Sequence, residues 1–175
     1  MITGVSVRRH LINYFIVVLA GVVFFVSSFF VNSSAHANDD AASIKQDCID
    51  LVLDYAFYRD RPDAAGVANL FAEDGVIELL GDRFVGKQAI HARIEAGKGG
   101  PVFRHLMSTI RIFPQDLDHA QGISYVTVYV AAPGEDPRPV ESFVGIGEYH
   151  DDFVRTAAGW KIQNRKYVPV FVPAK

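Results

Sequence analysis

Apolar residues fall at Ile44, Cys48, Leu51, Val52 and Tyr55, the spacing of one helical face. The pattern predicts a first helix that carries Tyr55 into the core, after a polar leader from Asn38 to Ser43. Arg61-Pro62-Asp63 breaks that helix. Proline biases the residue before it toward extended backbone, so Arg61 is expected there. Asp63 is placed to cap the next helix, because its carboxylate can accept from a backbone N–H one turn on. Val67, Leu70 and Phe71 give that second helix its apolar stripe. Glu73-Asp74-Gly75 stops it, and a strand is expected from Val76. Gly81-Asp82 reads as a turn and Arg83-Phe84-Val85 as a short returning strand. Lys87 to Ala96 predicts a third helix with Ile90 and Ile94 buried. Gly97 to Pro101 is a connector, without the spacing or Lys-Ser/Thr ending of a phosphate loop.

Beyond that connector the period changes. Residues 103–113, 122–132, 140–154 and 160–172 are rich in Val, Ile, Tyr, Phe and Thr. Turn clusters separate them at Pro114 to Asp118, Pro133 to Pro139 and Ala157-Ala158-Gly159. Four long strands in a row predict an antiparallel meander. Helices gathered before such a sheet make an α+β domain.

The first 37 residues have a different pattern. Arg8 and Arg9 precede an apolar run from Leu11 to Val31, and Ala35-His36-Ala37 offers small residues at a cleavage site. The layout predicts a secretory signal peptide over residues 1–37, with the folded domain over 38–175 and a periplasmic or secreted location. The run is also long enough to span a bilayer, so an uncleaved N-terminal anchor is the alternative.

Composition adds limits. The chain has 175 residues, half of them apolar, enough for one domain with a real core and too apolar for disorder. Its formal net charge is −3, and no Lys/Arg stripe marks a nucleic-acid surface. A single cysteine, Cys48, excludes an intrachain disulfide and reads as a small buried hydrophobe. No His, Cys or carboxylate spacing suggests a metal, and no cofactor is expected. Apolar residues on both faces of the long strands, such as Phe143, Val144 and Ile146, predict pairing of two copies through the sheet.

Several motifs together resemble one known group. They are Tyr55 with Asp60 five residues on, LFAEDGVIE, the glycine before a helix in GKQAI, RHLMS, and GWKIQNR. The chain resembles the SnoaL-like group of the nuclear-transport-factor-two-like superfamily over nearly all of residues 43–170. That resemblance implies a curved sheet wrapped against three helices, with a conical apolar pocket for a small hydrophobic ligand and pairing through the sheet. It also implies lyase chemistry of the dehydratase type. His105 matches a pocket histidine that removes a proton, and Asp60 the aspartate that orients it. Tyr55 matches a tyrosine that donates to a leaving or enolising oxygen. Arg165, five residues after Trp160, matches an arginine that can hold an anion. The isomerase branch places a base carboxylate where Leu79 stands, next to Glu78, which argues against simple isomerase chemistry. His150 is expected in a turn, and His91 and His119 at the surface.

Each residue also has a plainer reading. Asp60 can simply close the turn before Pro62. His105 can be an ordinary strand residue. Tyr55 can be core, and Arg165 a surface residue. Strict alternation puts Arg165 opposite Trp160 and Ile162 unless a bulge intervenes. The alternatives to a lyase are a binding or assembly module of the same fold and an isomerase or polyketide-cyclase type of enzyme.

Overall fold

The computed structural model describes residues 39–140 and 143–174. The expected signal segment lies outside the described residues. Helix α1 covers residues 39–59, so the part of the polar leader that is described is helical. Ile44, Cys48, Val52 and Tyr55 are all buried on one face of it. Residues 60–62 turn the chain. Arg61 is not extended as expected, because its N–H bonds to the Tyr58 carbonyl and holds it in the turn.

Helix α2, Ala64–Asn69, starts at Asp63, whose Oδ1 accepts from the Gly66 N–H at 2.8 Å. Gly66 has no room for a side chain: a Cβ there would stand 2.5 Å from the Tyr58 ring. The helix ends sooner than its apolar stripe suggested. Phe71 already begins strand β1, Phe71–Leu79, five residues before the expected Val76. The Ile162 N–H donates to the Leu70 carbonyl at 2.9 Å and draws the chain into the sheet there, so tertiary pairing overrides local pattern. Strand β2, Asp82–Val85, returns along β1, and helix α3, Lys87–Glu95, buries Ile90 and Ile94.

The meander follows as β3, Val102–Pro114; β4, His119–Ala131; β5, Phe143–Thr156; and β6, Gly159–Phe171. The six strands lie in the order β2-β1-β6-β5-β4-β3. All neighbours are antiparallel except β1 and β6, which run parallel and join the short hairpin to the meander. The result is the α+β arrangement expected, an unclosed curved sheet with the helices on its inner face. From Ala42 onward the chain forms one compact unit. Its core joins α1 and α2 to the sheet through Val52, Val67, Phe71, Ile77, Phe153 and Ile162. Each large apolar side chain buried this fully contributes about 1.5–3 kcal/mol relative to exposure.

Two bulges decide which side chains face inward. In β3 the register shifts between Ser108 and Arg111, so His105 and Ile112 share the inner face despite their odd separation. In β6, Asn164 pairs with Asp152 while Ile162 pairs with Phe153, which makes Gln163 the extra residue. That shift turns Arg165 to the same inner face as Trp160 and Ile162, and all three are buried.

Candidate active site

Asp60 stands where α1 ends, and β3 is the outermost strand of the sheet on that side. An edge strand presents unpaired backbone groups. Asp60 satisfies two donors there. Its carbonyl accepts from Arg104 Nη1 at 3.3 Å, and its Oδ2 accepts from the His105 N–H at 2.9 Å. Its other oxygen, Oδ1, lies 2.6 Å from His105 Nδ1. The two side chains are only 8% and 7% exposed. A carboxylate is acceptor-only, so Nδ1 carries the proton and donates it to Oδ1. In the neutral ring the lone pair then sits on Nε2, which has no protein partner among the described residues.

His105 lines a cavity of about 420 Å³ between the inner face of the sheet and the helices. Its walls are largely apolar, with Phe103, Val128, Tyr167 and Leu79 among them. The size and lining suit a small apolar molecule. Gly147 makes room for one wall: a Cβ there would lie 2.5 Å from the Tyr167 ring.

Tyr55 and Tyr149 also line the cavity. Tyr55 meets the His105 ring edge-on with centroids 6.4 Å apart, and the Tyr149 ring at 5.6 Å. Burial raises the Tyr55 pKa, opposed by the positive charges of Arg165 and Arg59. Burial raises Tyr149 further, and its neighbour Tyr55 adds to the effect. Both phenols therefore stay protonated.

Arg165 lies beneath this pair. It is 0% exposed, and its guanidinium carbon sits 4.3 Å from the Tyr55 ring centroid and 4.6 Å from that of Tyr149. Nε and Nη2 each donate to Asp151 at 2.7 Å, one to each carboxylate oxygen. Burial works against the charge, but Asp151 outweighs it and the pKa is raised. Nη1 has no hydrogen-bond partner among the described residues. Arg165 is not among the cavity-lining residues. It is a buried, Asp151-paired strut under two tyrosines, in contrast to the surface position of the plainer reading.

The other histidines among the described residues lie elsewhere. His150 is in β5 rather than in a turn, exposed on the outer face, with Nε2 2.7 Å from Glu148. His119 is exposed and pairs with Asp116, and His91 is exposed on α3. Glu78 pairs with Arg83, while Leu79 faces the cavity. Three residues of the site escaped sequence reasoning. Asp151 and Tyr149 alternate with Phe153 on the inner face of β5, a period-2 signal hidden beside the more conspicuous His150. Arg59, one residue before Asp60, also lines the cavity.

The SnoaL-like domain model matches residues 40–166. A comparison with curated proteins gives no match. Among solved structures, Rv3472 from Mycobacterium tuberculosis, a protein of unknown function, is 24% identical with a TM-score of 0.67, covering 78% of this chain and 76% of its own. A scytalone-dehydratase-like protein from Novosphingobium aromaticivorans is 21% identical with a TM-score of 0.67, covering 78% of this chain and 90% of its own. ActVI-ORFA from Streptomyces coelicolor is 20% identical with a TM-score of 0.59, covering 73% and 97%. The chain belongs to the SnoaL-like domain family and has the nuclear-transport-factor-two-like fold.

Proposed function

We propose that the chain is an exported, cofactor-independent lyase that dehydrates a small apolar cyclic compound. The observation that carries this reading is the Asp60–His105 pair, with Nδ1 on Asp60 at 2.6 Å and the ring at the wall of an apolar cavity. His105 Nε2 takes a proton from a carbon next to a carbonyl. The C–H electron pair forms the new double bond and the C–O bond to a β-hydroxyl breaks. Tyr55 donates a hydrogen bond to the carbonyl oxygen as charge develops there. The imidazolium, balanced by Asp60, returns its proton to the departing hydroxide, which leaves as water. Leu79 in the cavity wall, where the isomerase branch has its carboxylate, favours elimination over isomerisation. Export rests on the pattern of residues 1–37, which lie outside the described residues.

The outer face of the sheet supports pairing of two copies. Leu106, Thr127, Ile146 and Phe171 are register neighbours across four strands. Leu106 is 56% exposed and Phe171 62%. A row of this kind on a soluble sheet suits a partner surface.

The test is an assay of the mature protein against cyclic hydroxy-ketones and hydroxysteroids, following conjugated product. His105→Ala should lose about a hundredfold to ten-thousandfold in rate while still binding substrate. Tyr55→Phe should lose less, on the scale of one hydrogen bond to developing charge. A His105→Ala protein with near wild-type turnover would refute the assignment.

A further inference from the structure

Arg59 is a buried cavity-lining residue whose charge the elimination leaves unused. It is 9% exposed, yet makes no ion pair and no side-chain hydrogen bond among the described residues. Its guanidinium carbon lies 4.6 Å from the centroid of Phe103, another wall residue. Its charge is felt at Tyr55 and Tyr149, which puts it electrostatically within the same site. A buried charge is costly unless paired, and a single aromatic face only partly compensates. Arg93, from α3, lines the same cavity and likewise has no ion pair among the described residues. Its guanidinium lies 5.8 Å from the Phe84 ring centroid. The opposing charge in the lining is Asp82, which is exposed at the rim and within salt-bridge distance of neither arginine. Arg165 is not among the cavity-lining residues, and its Nε and Nη2 donate to Asp151.

We propose that the substrate carries a carboxylate, and that Arg59, assisted by Arg93, binds it. The apolar walls take the ring, and the planar fork of Arg59 donates to the two carboxylate oxygens. This orients the reacting carbon toward His105 from a fixed anchor. The assignment rests on the reading of this cavity as the substrate site. It adds the chemical class, an apolar ring acid, and makes Arg59 a specificity-determining residue.

The test measures binding and needs no turnover. 2-Naphthoate and its neutral counterpart 2-naphthamide are titrated calorimetrically into the mature protein at pH 8. The carboxylate should bind about tenfold to a hundredfold more tightly, the scale of a hydrogen-bonded charge. Arg59→Met should abolish most of that preference and leave naphthamide affinity unchanged, and Arg93→Gln should remove a smaller part. If Arg59→Met does not fold, Arg59→Lys replaces it and should lose several-fold, since a point charge cannot form the fork. His105→Ala should keep the full preference while losing turnover, so failure of the lyase reading shows separately. Equal affinity for the two probes overturns the proposal. So does the absence of naphthoate binding at millimolar concentration, or a folded Arg59 variant that keeps the whole preference.

Discussion

Both carboxylate oxygens of Asp60 are bound to one residue, His105: Oδ2 to its backbone N–H at 2.9 Å and Oδ1 to its ring Nδ1 at 2.6 Å. The first bond closes the exposed edge of β3 onto the end of α1. The second sets the tautomer. Among the described residues the Asp60 carboxylate makes no bond within the turn before Pro62, which backbone hydrogen bonds hold, so the side chain ties the helix end to β3 instead of closing that turn. The same arrangement limits how His105 can move. Its backbone and its ring are anchored to a single carboxylate.

Arg165 is expected to act through stability. Arg165→Ala strands Asp151 as an unpaired buried charge, and losing one partner of such a pair costs about 3–5 kcal/mol. Urea denaturation of the variant should show a loss of that size, together with a less ordered Tyr55–Tyr149 pair in near-ultraviolet circular dichroism. A variant within about 1 kcal/mol of wild type would mean that the pair is not holding the tyrosines.

Cys48 predicts a pH dependence of stability. Burial pushes its thiol from an ordinary 9.0 up to about 12, with the nearby charges of Asp47 and Asp151 adding to the effect. Above pH 9 the unfolded chain releases this proton and the folded chain keeps it. A raised folded-state pKa gives stability that is whole below 9 and falls as pH climbs toward 12. The slope approaches about 1 kcal/mol per pH unit. Denaturation curves from pH 8 to 10 should show the decline, and Cys48→Ala should flatten it. An equal slope in that variant would assign the decline to other groups.

Much of this was legible in the chain, and the failures have physical causes. The stripe ending at Tyr55, the Asp63 cap, the Ile90 and Ile94 face and the four-strand meander follow from local periodicity. Asp60 and His105 were legible only through resemblance, because 45 residues separate them and no local rule joins a helix end to a strand edge. The Arg165 environment was hidden by the bulge at Gln163. A one-residue shift moves a side chain to the opposite face, and alternation alone cannot reveal it. The early start of β1 at Phe71 was hidden because its hydrogen bonding to β6 is nonlocal.

The outer row from Leu106 to Phe171 predicts a dimer. Light scattering on the mature domain at micromolar concentration should give twice the monomer mass, and Leu106→Lys should shift it toward monomer. A monomer throughout that range in the unaltered protein would discard the pairing.

Export predicts a mature N-terminus at Asn38. Intact mass of protein recovered from the exported fraction decides it: loss of residues 1–37 fits a signal peptide, and a full-length mass fits the anchor.

The central claim is that Asp60 holds His105 as a base with its Nε2 lone pair free. Nitrogen-15 chemical shifts of histidine-labelled protein, at alkaline pH where imidazoles are neutral, read this directly. The wild type should show Nδ1 protonated and Nε2 bare. In Asp60→Asn the amide can accept from the His105 N–H while its NH2 faces Nδ1, so the proton should move to Nε2 and the rate should fall about a hundredfold or more. A wild-type His105 protonated on Nε2, or the same tautomer in both proteins, would contradict the account.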